Sequence, residues 1–511
     1  MSRLRLAGVV LAAITPLLVV LTPASADQGP CEAPTAPDEW PTFGRDLANT
    51  RTQEHAGDIS PATTPTLQPV WSFSTGAAPN VFSDLNGTPI VSGGCVYLNT
   101  AGGDVVALAA SDGAELWRHH VTLEPGTVAG LGGTFVSSPA VTDEAVLTLV
   151  NQVGSPYVLA LSRTPDADGE GRVLWRSEPI VEGAGYYTNA TAVVTNGLLL
   201  AGFSPAEGDA DERGGITIFD ARTGRLLERV YSIPQDAFEE GYAGGGIWTA
   251  PAVDRENGYA YAGTSNPYSK KIEHENTNAI IKIDIDPKRR TFGDVVGSYK
   301  GLIEQYDPAL REAVDPLCEA AGEDPNLQLI VGDSAPCLQL DLDFGAPPNL
   351  FRDSTGRLIV GDLQKAGVYH AVDAGSMQSV WKATVGGSCA ACNAAAWASD
   401  DGAVVGATAP GGAMVSLGHD QGALRWASPI ADGTHYQSTS SAGGVVFTVD
   451  NLGNLLAWDR STGLSLLKRP VQADAEGTTA GVSSSGIAIA SGMVIVATGT
   501  AVVAYAPTAL D

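Results

Sequence analysis

Val105-Val-Ala-Leu-Ala-Ala-Ser-Asp-Gly-Ala-Glu-Leu-Trp117 reads as a short apolar strand, a tight turn at Ser-Asp-Gly and a second strand that ends in tryptophan. The pattern returns at Val158 (ending at Trp175), Ile216, Ala279, Val368 (ending at Trp381), Met414 (ending at Trp426) and Leu455. Val502-Val-Ala-Tyr-Ala-Pro makes an eighth copy, which stops before its second strand. Leu67-Gln-Pro-Val-Trp71-Ser-Phe, near the other end of the chain, supplies a strand of the missing kind. One such unit cannot bury both faces alone, so repeats stack, and a strand borrowed from the opposite terminus closes the ring and removes its open edges. The expectation is an all-β chain forming one eight-bladed β-propeller, with about 55 residues per blade. Trp71, Trp117, Trp175, Trp381 and Trp426 are then packing residues between blades.

The predicted organisation is a signal peptide over 1–26, an N-terminal segment over 27–66 that packs on the propeller, and the propeller itself over 67–511. An insertion at about 300–341 separates the fourth and fifth repeats, and in a propeller such an insertion covers a face. The signal peptide is read from Arg3 and Arg5, the apolar run Leu6–Leu21 and the small residues Ala24-Ser25-Ala26. No comparable apolar run follows, so the expected product is soluble, without a membrane span, and secreted, extracellular or periplasmic. The formal charge of −28 excludes a nucleic-acid partner and suits a basic protein or a cation.

Six cysteines in an exported chain permit disulfides. Spacing pairs Cys318 with Cys337 and Cys389 with Cys392, leaving Cys31 to staple the N-terminal segment to Cys95. Asn393 follows Cys389-Ala-Ala-Cys392 where a c-type haem site needs histidine, so covalent haem is excluded. Electrons taken from a substrate must leave through a separate acceptor.

Gly244-Gly-Gly-Ile-Trp248-Thr-Ala-Pro-Ala-Val-Asp-Arg-Glu-Asn-Gly-Tyr-Ala-Tyr-Ala-Gly-Thr-Ser-Asn266-Pro267 stands apart from the repeat. Three glycines deliver the flat ring of Trp248 on backbone that can approach a neighbour or ligand closely. A hairpin later, Asn266 offers a neutral amide oxygen of the kind calcium uses. This stretch resembles the signature of the pyrroloquinoline quinone (PQQ) dehydrogenases, in which the tryptophan is the floor under the quinone and the asparagine binds calcium.

Three further stretches carry the resemblance, each from another part of the ring. Thr188-Asn-Ala-Thr through Ser204-Pro-Ala-Glu207 is similar to the blade whose carboxylate binds calcium. On that likeness Glu207 is the metal ligand, and Thr188 and Ser204 hydrogen-bond the cofactor. Asp209 and Glu212 stay open as alternative ligands, because the acidic link before Arg213 is longer here. Asp341-Leu-Asp343-Phe-Gly-Ala-Pro-Pro resembles the segment of the catalytic base, implying that role for Asp343, which also counts among the metal ligands. Gly345, where lanthanide-dependent relatives carry a second aspartate, favours calcium. Gly361-Asp-Leu-Gln-Lys365-Ala-Gly resembles the strand that sets a cation beside the quinone carbonyls, implying that role for Lys365. No adjacent Cys-Cys pair is present to roof the cofactor, and Cys389, Cys392 and Trp397 are the candidates that remain.

The chain thus looks like a quinoprotein alcohol dehydrogenase, similar to the secreted polyvinyl-alcohol dehydrogenase branch. The resemblance implies PQQ and Ca2+ as cofactors, an alcohol as substrate, polymeric or secondary alcohols included, and an external electron acceptor such as a cytochrome c. The competing reading is a propeller without cofactor, serving as an extracellular scaffold or binding module, since fold alone does not assign function.

Overall fold

The computed structural model describes residues 31–78, 83–206, 211–268, 273–302, 342–387, 393–409, 412–430, 435–479 and 485–508. They form eight sheets, each built on a four-stranded antiparallel meander, in sequence order from the channel outward in all but the last blade. The third strand of every sheet is one of the eight repeats: Asp104–Ala109, Tyr157–Pro165, Gly215–Asp220, Ala279–Asp284, Val368–Asp373, Ala413–Gly418, Asn454–Asp459 and Ala501–Pro507. The ring closes as the repeat arithmetic requires. Leu67–Ser74 is the outermost strand of the eighth blade and pairs antiparallel with Ala501–Pro507, Trp71 standing opposite Ala504.

The repeat tryptophans hold neighbouring blades together. The indole N–H of Trp71 donates to Ala110 O (3.0 Å), that of Trp117 to Arg163 O (2.8 Å), that of Trp381 to His419 O (2.7 Å) and that of Trp426 to Arg460 O (2.7 Å). Each acceptor lies in the next blade. The ring of Trp71 covers Gly113, in the turn of blade 1, where a Cβ would lie 2.5 Å from the indole; Gly113 also has φ +72°. Gly113→Ala should therefore cost about 1–3 kcal/mol, through overpacking and an unsuitable backbone angle, and lower the melting temperature by several degrees. A thermal melt equal to wild type would refute this account of the seam.

Blades 3, 4 and 7 depart from the pattern, and in blade 7 Leu467 stands opposite Ala457 in the tryptophan's place. Glu228 takes the tryptophan position and lies over Gly293, and Gly297 takes it in blade 4, where Met377 of blade 5 fills the space. That is why the fourth repeat carries no tryptophan in sequence.

The N-terminal segment runs along the inner strands. Thr52–Gln53 adds a parallel fifth strand beside Ser440–Ala442 of blade 7. Leu47, Ala48, Thr50 and Arg51 accept backbone bonds from Val253, Leu350, Ser399 and Ser441, so one short stretch touches four consecutive blades. The side chain of Asn49 donates to Ala250 O (3.2 Å) and Pro348 O (3.0 Å), tying together the entries to blades 4 and 5. A disulfide joins Cys31 to Cys95, the pairing expected from spacing. The other four cysteines and the stretch 303–341 lie outside the described residues, as does the expected signal peptide. Among the described residues no helix is long and apolar enough to cross a membrane.

Meander topology decides which side of the ring can hold a site. In an antiparallel four-strand blade the link into the first strand and the link between strands two and three emerge at the same end. Trp248, Asp343 and Thr188 precede first strands, whereas Ser204, Asn266 and Lys365 follow second strands. All six therefore share one end. The N-terminal segment meets Gly93, Gly94 and Ser491, in turns between strands one and two, at the opposite end.

Candidate active site

The glycines ahead of Trp248 are held in an inter-blade bridge. Gly244 pairs with Arg213 on one side and Pro267 on the other, through Gly244 N to Glu212 O (2.9 Å), Gly245 N to Asn266 O (3.1 Å) and Tyr268 N to Ala243 O (3.0 Å). Gly246 passes between two serines. Its N–H donates to Ser265 Oγ (2.7 Å), and a Cβ there would sit 2.4 Å from Ser204 Oγ. Only glycine fits, and the result is that the Asn266 backbone and the arm bearing Trp248 are locked to each other.

Asp343 sits at the centre. Its Oδ1 lies 2.7 Å from Lys365 Nζ, and its Oδ2 accepts the Trp248 indole N–H at 3.0 Å. The Lys365 ammonium is 5.3 Å from the centroid of the Trp248 ring, and the Lys365 N–H donates to the Asp343 carbonyl at 3.0 Å. The side chains of Asp343 and Lys365 are only 4% and 11% exposed, while Trp248 stays half-buried. A carboxylate, a cation and an aromatic face thus meet where water is scarce, a setting in which charge interactions are strong. Gly345 leaves the ring edge clear, since a Cβ there would lie 3.1 Å from Trp248 and 3.2 Å from Lys365 Cε.

Asn266 and Ser204 border this group. Phe344 N donates to Thr264 O (3.3 Å), which brings the segment of Asp343 against the Gly263–Asn266 arm. Asn266 is 6% exposed. The Ser204 hydroxyl is buried and has no hydrogen-bond partner among the described residues. Thr188 is committed locally, its hydroxyl donating to Gly202 O (2.7 Å) and its N–H to Asn151 Oδ1 (3.0 Å). Glu207 and Asp209 lie outside the described residues. Glu212 is bonded by the Tyr186 hydroxyl (2.5 Å), and burial together with this carboxylate pushes the Tyr186 phenol up.

Sequence reasoning passed over Asn393, a positioning residue. Asn393 is fully buried, and its Nδ2 donates to Lys365 O (3.0 Å) and Gly387 O (2.8 Å) while its Oδ1 accepts from Ala409 N (2.9 Å). It sits at φ +56°, a left-handed conformation that asparagine tolerates, so an asparagine after Cys-x-x-Cys was a usable turn signal. Asn393→Ala leaves two buried backbone groups, Lys365 O and Ala409 N–H, unpaired and should destabilise by about 1–3 kcal/mol per lost partner, read by thermal unfolding.

Trp397 requires a correction. It does not roof the site: it is 2% exposed, its indole donates to Ala407 O (3.1 Å), and it packs 4.9 Å from the Tyr369 ring and against Gly406 in the core between blades 5 and 6. It lies at the start of a first strand, where an inward-facing aromatic is buried by the neighbouring blade. Cys389 and Cys392 fall outside the described residues.

The site fits a flat, anionic, hydrogen-bonding group. The half-buried Trp248 face, the adjacent cation, the unpartnered Ser204 hydroxyl and the clearance at Gly345 are the features such a group needs. For a hard cation the described donors are the amide of Asn266 and the carboxylate of Asp343. Among the described residues no group of three His, Cys, Asp or Glu side chains could hold a metal ion.

The fold is an eight-bladed β-propeller with a buried ion pair beside an aromatic face at one end. Residues 40–278 match the family described as the PQQ β-propeller domain of glucose, ethanol and other alcohol dehydrogenases. Over 278 residues the chain is 26% identical to the polyvinylalcohol dehydrogenase of a Pseudomonas species, covering 49% of this chain and 39% of that protein. It is 27% identical over 260 residues to the quinohemoprotein alcohol dehydrogenase of Comamonas testosteroni, covering 46% and 34%. These matches span less than half the length of either relative. The crystal structure of the Comamonas testosteroni enzyme superposes with a TM-score of 0.68 at 17% identity, covering 93% of this chain and 82% of that one. A europium-containing methanol dehydrogenase gives 0.65 at 16% identity, covering 88% and 87%. At such identities the superpositions establish the fold.

Proposed function

We propose that this chain is an exported PQQ- and calcium-dependent dehydrogenase that oxidises an alcohol and passes electrons to an external acceptor. The observation that carries the reading is the contact of Trp248, Asp343 and Lys365, which come from the entries to blades 4 and 5 and from a loop of blade 5. A scaffold has no need to bury an ion pair beside an aromatic face, because replacing such a pair by apolar residues is often neutral or stabilising. The PQQ and polyvinyl-alcohol names of the similar proteins support the cofactor and the substrate class.

When bound, PQQ with its metal ion supplies the redox chemistry, as acceptor of the hydride. The chain supplies everything else. Trp248 gives the apolar face for a planar ring, Ser204 an unused hydroxyl to orient it, and Thr188 a backbone-anchored wall beside it. Lys365 provides a fixed positive charge where negative charge develops, at no reorganisation cost because Asp343 and Asn393 already hold it. Asp343 takes the alcohol proton on a carboxylate oxygen, and its neighbours keep water from competing. Asn266 and Glu207 would hold the calcium ion, with Asp343 as a further oxygen.

The test is reconstitution of the purified protein with PQQ and calcium, followed by absorbance spectra and a dye-linked assay on small, secondary and polymeric alcohols. Saturable PQQ binding with alcohol-dependent dye reduction is expected. No PQQ binding by the intact wild-type protein would reject the proposal and favour the scaffold.

A further inference from the structure

We infer that Gln364, oriented by His370 and Tyr299, is a positioning residue that fixes the main chain just before Asp343, while the same His370 packs on the ring of Phe344 just after it; its catalytic consequence rests on the role proposed for Asp343 above. Gln364 is fully buried and uses its whole hydrogen-bonding capacity. Its Nε2 donates to Leu342 O (2.6 Å) and Leu302 O (2.9 Å), and its Oε1 accepts from Leu302 N (2.9 Å) and from His370 Nε2 (3.0 Å). The backbone partners settle the orientation of the amide, because carbonyls can only accept and the Leu302 N–H can only donate.

That orientation propagates outward. Gln364 Oε1 cannot donate, so His370 carries its proton on Nε2 and its Nδ1 accepts from the Tyr299 hydroxyl at 3.0 Å. The bonds run one way, from Tyr299 through His370 and Gln364 to the carbonyl of Leu342. On the other flank of Asp343, the Phe344 ring meets the His370 ring edge to face, with centroids 5.2 Å apart. One histidine therefore touches both neighbours of Asp343, one through Gln364 and one directly.

The chain requires an uncharged His370. Burial, with the nearby Lys382 charge, pulls its pKa to about 3, so the imidazole is neutral across any working pH. Asp362, its cross-strand partner, is buried too, and burial pushes that carboxyl well above the ordinary range. Lys365 directly follows Gln364, so the same anchor also sets where the cation begins. An error of a fraction of an ångström at a reacting group is costly in rate, which gives such an anchor its value.

Tyr299→Phe tests this with the smallest lesion, removing one hydroxyl at the far end of the chain and keeping the ring. In the cofactor-free protein the Trp248 indole N–H resonance, identified by its loss in Trp248→Phe, should shift, because its acceptor is Asp343. In the reconstituted enzyme kcat should fall about 5–10-fold while KM and PQQ affinity stay within about twofold. Gln364→Met should enlarge both effects, and if it fails to fold the tyrosine variant still decides. Selective histidine 15N labelling should show His370 as the neutral Nε2–H tautomer in wild type. A Nδ1–H tautomer, or a Tyr299→Phe protein with an unmoved Trp248 resonance, overturns the inference. So does a loss of activity carried by KM alone. Should wild type bind no PQQ, the proposed function falls while the resonance and the tautomer still decide the anchor.

Discussion

Asp343→Asn is expected to lower alcohol oxidation by about 10²–10⁴-fold, the contribution of a positioned general base. The substitution keeps the size of the side chain but takes away the group that accepts the substrate proton. It also disturbs an ion pair. Lys365 and Trp248 both donate to this carboxylate, and an amide can accept from one of them only by turning its NH2 towards the other. A drop in stability should accompany the loss of rate, because removing one partner of a buried pair costs about 3–5 kcal/mol. The double variant Asp343→Asn with Lys365→Met separates the two effects: the melting temperature should recover while activity stays lost. A single variant that retains more than a tenth of wild-type turnover would exclude Asp343 as the base.

Lys365→Met should slow turnover by about 10²–10³-fold, the usual cost of removing one preorganised electrostatic donor. It should weaken PQQ binding as well, since the lost charge acts on the cofactor before and during reaction. The two variants therefore differ in kind. Asp343→Asn should bind PQQ with little change, and Lys365→Met should require more of it for saturation. Fluorescence titration of each apoprotein with PQQ measures this, and equal affinity in wild type and Lys365→Met would show that the cation serves Asp343 alone.

Local signals carried the ring a long way. A strand, a Ser-Asp-Gly turn and a second strand ending in tryptophan are set by near neighbours, so the eight copies stood out by eye. The Trp71 strand was recognisable because a truncated last repeat leaves an edge that must be covered. The Cys31–Cys95 bond followed from spacing once the other four cysteines were grouped. Trp397 misled because a tryptophan near the cysteines carries no mark of which way its ring turns. Its burial against Gly406 is decided by the next strand of the same blade.

The site divides along the same line. By itself the sequence determined the all-β class, the blade count, the closure of the ring and the short motifs bearing Trp248, Asn266, Asp343 and Lys365, since turn chemistry and apolar alternation act over a few residues. Tertiary structure alone decided that Asp343 pairs with Lys365, that Trp248 donates to the same carboxylate from 95 residues away, and that Asn393 and Gln364 hold the arms that carry them. Those contacts join separate strands or neighbouring blades, and no pattern along one strand reports what another strand or the next blade places against it.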